Sequence, residues 1–143
     1  MTLVVDSSVA VKWLVDEDEA DLARPFLDLR PCAPDLIVAE TTNVLWKKVR
    51  KGEIDADQAA RGVRLLSALD LPLWSGARLS ENALALSLRL DHAAYDCFFL
   101  ALAQHLGAPL LTADAKFARK VAATGEAVDV VVLSEASALL EKR

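Results

Sequence analysis

The stretch Thr2-Leu3-Val4-Val5-Asp6-Ser7-Ser8 decides how the rest of the chain is read. Leu3, Val4 and Val5 make a short, continuous apolar run, as expected of a strand buried on both faces of a parallel sheet. The run starts almost at Met1, so no element is expected ahead of it. It ends on a carboxylate, and Ser7 and Ser8 then offer N-cap hydroxyls to a helix over residues 9–15. The carboxyl end of a buried first strand, where the next helix begins, is where open α/β sheets bind ligands. Taken alone, Asp6 reads equally well as a strand-ending turn residue. Three later acidic positions tip the balance.

A chain of 143 residues is expected to form one domain with a real core. With 54% hydrophobic and 26% charged residues it is globular in composition. No apolar run approaches the roughly 20 residues of a membrane span, and the start lacks the basic n-region and long h-region of a signal peptide. Cys32 and Cys97 are far apart without metal spacing, which favours a reduced, cytoplasmic setting. There is no Walker loop, dinucleotide fingerprint or internal repeat. A formal charge of −5 argues against a broad nucleic-acid-binding surface.

Helical and strand patterns alternate along the chain. The acidic run Asp16-Glu17-Asp18-Glu19 reads as the solvated start of a helix reaching residue 29. Pro31-Cys32-Ala33-Pro34 is too proline-rich for more than an edge strand or turn. Helices are expected over 35–51, with Asp35 as its cap, over 55–68 and over 80–90, with a strand at 71–74. Asp91 is expected to open the most apolar segment, a buried helix ending at Gly107. A strand at 110–112, a helix over 115–123, a strand at 128–133 and a terminal helix capped by Ser134 complete the pattern. Such alternation implies an α/β fold of three layers around a mainly parallel central sheet.

Four acids stand where packing would prefer none. Asp6 ends the first strand, Glu40 interrupts an apolar helix front, Asp96 lies in the first turn of the most buried helix, and Asp114 follows Leu110-Leu111-Thr112. Carboxylates among such neighbours must be hydrogen-bonded, paired or metal-bound. Local capping accounts well for Asp96 and Asp114, and less well for Glu40, a turn inside its helix. Four converging carboxylates would form a hard oxygen site for Mg²⁺ or Mn²⁺, ions that activate water and hold a phosphodiester.

The sequence resembles the PIN-domain ribonucleases, and among them the VapC-type toxins of bacterial toxin–antitoxin pairs. The resemblance spans nearly the whole chain through V-V-D-S-S-V, P-D-L-I-V-A-E-T-T-N-V-L, Y-D-C-F-F-L-A-L-A and L-L-T-A-D. It implies that Asp6, Glu40, Asp96 and Asp114 are metal-binding acids, with Ser8 and Thr112 as supporting hydroxyls and Asn43 on a commonly polar position. It further implies Mg²⁺- or Mn²⁺-dependent endonucleolytic cleavage of RNA, often tRNA, by homodimers inhibited by a cognate VapB-type antitoxin.

Two divalent ions would offset four charges and leave about −1, so much of the acidity can belong to the site. RNA contact would fall to Lys116, Arg119 and Lys120, or to Lys47, Lys48, Arg50 and Lys51; each run reads equally as a solvated helix face. Trp13 and Trp46 read as core, or as part of the apolar groove that takes an antitoxin in this family. His92 and His105 lack partners at ligand spacing and read as surface or capping residues. Cys97 reads as packing, not as a nucleophile. Two rival functions remain. A phosphatase with an aspartyl nucleophile would want a second Asp where Ser8 stands, and a non-catalytic metal- or partner-binding α/β module would need only one or two of the acids.

Overall fold

The computed structural model describes residues 1–142. Its first strand, β1 (Val4–Val5), pairs in parallel with β4 (Leu110–Thr112), which pairs in parallel with β5 (Val130–Val132). On the other side β2 (Ala33–Pro34) pairs in parallel with β3 (Leu73–Trp74), and a parallel bridge from Val4 to Cys32 joins the two ladders. The Val5 amide donates to the Cys32 carbonyl, and the Cys32 amide to that of Leu3. The strands therefore run in the order 3-2-1-4-5, all parallel, and β1 is where the direction of winding reverses. Val4 and Val5 are fully buried, as a strand covered on both faces must be.

Two helical layers enclose this sheet. α6 (Ala94–Leu106) lies over β1, β2 and β4 and carries α5 (Gly76–Leu90) on its back. Cys97 and the run from Phe99 to Ala103 are buried, which accounts for the helix being apolar almost all round. α1 (Ser7–Leu14) packs against β4, with α3 (Leu36–Arg50) and α4 (Ala56–Ala68) against it. α7 (Ala115–Thr124) lies beside β5. A capping box, in which Asp55 and Gln58 each accept from the other's amide at 2.8 Å, starts α4 where Asp55 predicts it.

Several expectations are corrected. The segment from Pro31 to Pro34 lies inside the sheet, paired on both sides, because its prolines flank the amides that matter: Cys32 donates to β1 and Ala33 to the Pro72 carbonyl. Residues 16–29 form no single helix. Glu19 takes a left-handed conformation (φ 66°), a short α2 (Ala20–Ala23) follows, and the chain tightens into a 3₁₀ turn at Arg24–Leu29 that contains Pro25. Asp35 stands at the N-cap position of α3 as expected, but its side chain makes no capping bond there; its carboxylate accepts from the Gly76 amide at 3.0 Å at the start of α5. A Cβ on Gly76 would stand 2.9 Å from that oxygen, so a larger residue there would displace the Asp35 carboxylate. Asp91 ends α5 in a left-handed conformation and does not open α6. Ser134 falls within a 3₁₀ turn at Leu133–Glu135, ahead of a short α8 (Ser137–Leu140) that it does not cap.

Trp13 belongs to the core and is removed from any groove: it is 5% exposed, and its indole N–H donates to the Ala23 carbonyl at 2.9 Å. Trp13→Phe removes that hydrogen bond from the core, and should lower unfolding free energy by about 1 kcal/mol or more in urea denaturation. An unchanged unfolding midpoint would mean that the bond contributes nothing.

Candidate active site

Asp6 terminates β1 and serves as N-cap of α1. Its Oδ1 accepts the Ser8 amide at 3.1 Å, the Val9 amide at 3.4 Å and the Ser8 hydroxyl at 2.5 Å, and its Oδ2 accepts the Thr112 hydroxyl. Each hydroxyl accepts in turn from the chain just beyond β4. The Ala113 amide donates to Ser8 Oγ at 2.9 Å and the Asp114 amide to Thr112 Oγ1 at 3.0 Å. Ser8 and Thr112 thus clamp the carboxyl ends of the two central strands around one carboxylate.

Glu40 reaches the same end of the sheet from α3, and its Oε1 accepts the Ser7 hydroxyl at 3.2 Å. Asp96 comes from the first turn of α6, with Oδ2 lying 2.6 Å from His92 Nε2. Burial pushes the Asp6 carboxyl up to about 6, against the Ser8 and Thr112 hydroxyls, and the Asp96 charge adds to the rise. Burial also raises Glu40, and the charges of Asp96 and Asp6 push it the same way against the Ser7 hydrogen bond. Three of the four acids therefore feel one another's charge. Asp114 adjoins them through Thr112 but is itself exposed, and its Oδ1 accepts the Phe117 amide at 3.1 Å as N-cap of α7.

Each carboxylate rests on its own donor, and among the described residues no three acidic, histidine or cysteine side chains already form an ion cage. The chemistry of the donor set nevertheless fits a hard divalent cation. It is all oxygen, it is crowded with negative charge, and the cost visible as raised carboxyl pKa values is the kind a cation removes.

The surroundings revise several expectations. Lys48 is committed to Glu17 and Glu53, and Lys12 bonds Glu17 and the Asp18 carbonyl, so Glu17 is the centre of an ion-pair network and not a solvated helix start. Lys12 and Lys48 line an open cleft with Ser8, Val44 and Asp114. Lys116 and Arg119 are exposed, whereas Lys120 turns back to the Asp91 carbonyl at 2.7 Å. Lys47, Arg50 and Lys51 are exposed around Trp46, itself 51% exposed, with the Arg50 guanidinium 5.1 Å over its ring. Asn43 is exposed one turn beyond Glu40. Cys97 is buried and its thiol is pushed up to about 11 by burial and by Asp96, as suits packing. Lys12 is absent from the sequence reading, Ser7 enters it only as an N-cap hydroxyl, and His92 only as a surface or capping residue. The spacing of His92 four residues before Asp96 was the one available signal.

An acid raised in the fold destabilises it in full above the folded pKa. The penalty is relieved as pH falls through about 6 toward the unfolded value near 3.8. Metal-free protein should therefore gain about 1 kcal/mol relative to Asp6→Asn on going from about pH 7.5 to about pH 5, measured by urea denaturation. A pH-independent difference between the two proteins would show that Asp6 is not raised.

Residues 3–123 match the PIN domain family. Over 124 residues, 84% of this chain and 95% of the relative, the sequence is 32% identical to Ribonuclease VapC3 of Pyrobaculum aerophilum. The fold is similar to the crystal structure of PAE2754 from Pyrobaculum aerophilum, with a TM-score of 0.70 at 23% identity over 99% of this chain and 88% of that one. With its acids gathered at the winding reversal of a 3-2-1-4-5 parallel sheet, the chain belongs to the PIN-domain family, and within it to the VapC-type proteins.

Proposed function

We propose that residues 1–143 act as a single PIN domain with Mg²⁺- or Mn²⁺-dependent endoribonuclease activity, the toxin of a VapBC-type pair. One observation carries this reading: Asp6, Glu40 and Asp96 arrive from β1, α3 and α6 at one end of the sheet, where burial first and then the neighbouring carboxylate charges raise Asp6 and Glu40. The relative's description as a ribonuclease supports RNA as the substrate class.

In this reading Asp6, Glu40 and Asp96 hold the ion, and Asp114 completes the site from its edge. A bound divalent ion supplies the positive charge that makes water nucleophilic at neutral pH and draws charge from a phosphodiester. The protein supplies placement. Ser8 and Thr112 fix Asp6, Ser7 fixes Glu40, and the burial of Asp6 keeps bulk water from screening its charge. Lys116 and Arg119 beyond Asp114 are the exposed cations best placed along the chain for an RNA backbone, tRNA being the family's frequent target. A VapB-type antitoxin, homodimerisation and a cytoplasmic location complete the proposal.

A non-catalytic partner-binding module is the second reading, and the resting of each acid on its own donor without a finished ion cage favours it. The phosphatase reading loses ground because Ser8, where a second Asp would act, is spent on holding Asp6.

Purified protein should cleave RNA with Mg²⁺ or Mn²⁺ and stop with chelator. Asp6→Asn and Asp96→Asn should each cost at least about 10²-fold in rate, since each removes charge needed in the transition state. No turnover with either ion would favour the binding module. For inhibition, Trp46→Ala should weaken antitoxin binding by about 1–2 kcal/mol in calorimetry and leave RNA cleavage intact, as expected of an exposed aromatic anchor. Unchanged affinity would remove Trp46 from the antitoxin surface.

A further inference from the structure

His92 is held on every side. Its amide donates to the Ser87 carbonyl at 3.1 Å, and the Ser87 hydroxyl donates to the His92 carbonyl, so the backbone is fixed at both polar groups. The imidazole packs on Phe117 with ring centroids 4.8 Å apart. On one edge Nε2 lies 2.6 Å from Asp96 Oδ2, and on the other Nδ1 lies 3.5 Å from Lys120 Nζ. Lys120 is anchored by its 2.7 Å bond to the Asp91 carbonyl. An exposed histidine that merely follows a helix end needs none of this.

The donors and acceptors can be assigned. A lysine ammonium only donates, so the nitrogen facing it must present a lone pair. That puts the ring hydrogen on Nε2, aimed at Asp96 Oδ2. The other carboxylate oxygen, Oδ1, accepts no hydrogen bond among the described residues. We propose that His92, set in this tautomer by Lys120, is a positioning residue that fixes the Asp96 carboxylate and leaves one of its oxygens to ligate a divalent cation. The proposal rests on the reading of Asp6, Glu40 and Asp96 as the ion-holding acids. It also gives Lys120 work inside the protein in place of the RNA contact expected from its sequence position. Carboxylates that ligate metals are commonly held by such partners, and losing one typically weakens metal affinity by about 10- to 100-fold.

The test measures Mn²⁺ affinity of the full chain by calorimetry, without RNA, alongside melting of the metal-free protein and side-chain nitrogen spectra of His92. His92→Phe keeps the ring on Phe117 but removes the donor, and should weaken Mn²⁺ binding by about 10- to 100-fold. His92→Gln, whose amide reaches the Nε2 position, should stay within about threefold of wild type, a rescue that packing alone does not explain. Wild-type spectra should show hydrogen on Nε2, and Lys120→Met should mix the tautomers. Wild-type affinity in His92→Phe, equal losses in the Phe and Gln variants, or hydrogen on Nδ1 would each overturn the proposal. If His92→Phe does not fold, the Gln variant and the wild-type spectrum decide. Asp96→Asn separates the two levels. If it loses Mn²⁺ while His92→Phe keeps it, only the role of His92 falls; if both keep it, the metal-site reading falls and takes this inference with it.

Discussion

Everything at the working end of this molecule depends on the burial of one carboxylate. Asp6 is 7% exposed at the tip of a strand whose preceding residues are fully buried, and such a charge is costly unless donors meet it. The fold meets it with two amides from the first turn of α1 and two hydroxyls, one from α1 and one from β4. Those hydroxyls also accept the amides that leave β4, so the arrangement that satisfies the charge is the one that aligns the two central strands. Ser8 and Thr112 thus hold the carboxylate and the strand ends with the same hydroxyls.

The neighbouring acids obey the same rule with weaker burial. Ser7 meets Glu40, His92 meets Asp96, and the α7 backbone meets Asp114. What these donors do not remove is the cost of burial and, after it, of repulsion from neighbouring acids, seen in the raised carboxyl groups of Asp6 and Glu40. Elsewhere some of the charges are neutralised in pairs. Glu17 takes both Lys12 and Lys48, and Arg89 holds Glu126.

The parts legible in the sequence are those fixed by local pattern. A continuous apolar run followed by Asp-Ser-Ser could hardly be other than β1 into α1, and the all-round apolar helix could only be buried. The four acids were legible because each broke a pattern strong enough to make it conspicuous. The failures lie where distant partners decide. Two-residue strands carry almost no period, so the place of Cys32 and Ala33 inside the sheet is set by β1 and β3 and hidden by the flanking prolines. Asp91 and Glu19 adopt left-handed conformations that glycine would have announced. Trp13 looked able to line a groove because its partner, the Ala23 carbonyl, follows a turn that no helical period predicts. His92 was dismissed for want of a ligand-spaced partner, though its partner was the next acid along.

The three acids that feel one another are not equally secured. Asp6 belongs to the sheet, and Asp96 to a helix with six buried residues, whereas α3 buries only Ile37, Thr41 and Leu45 along its 15 residues. Val38 is exposed in a groove it lines with Val63 of α4 and Leu73 of β3, and Trp46 is exposed farther along the helix among Lys47, Arg50 and Lys51. Of these three acids, Glu40 thus rides on the element held by the fewest buried side chains for its length, where local opening costs least.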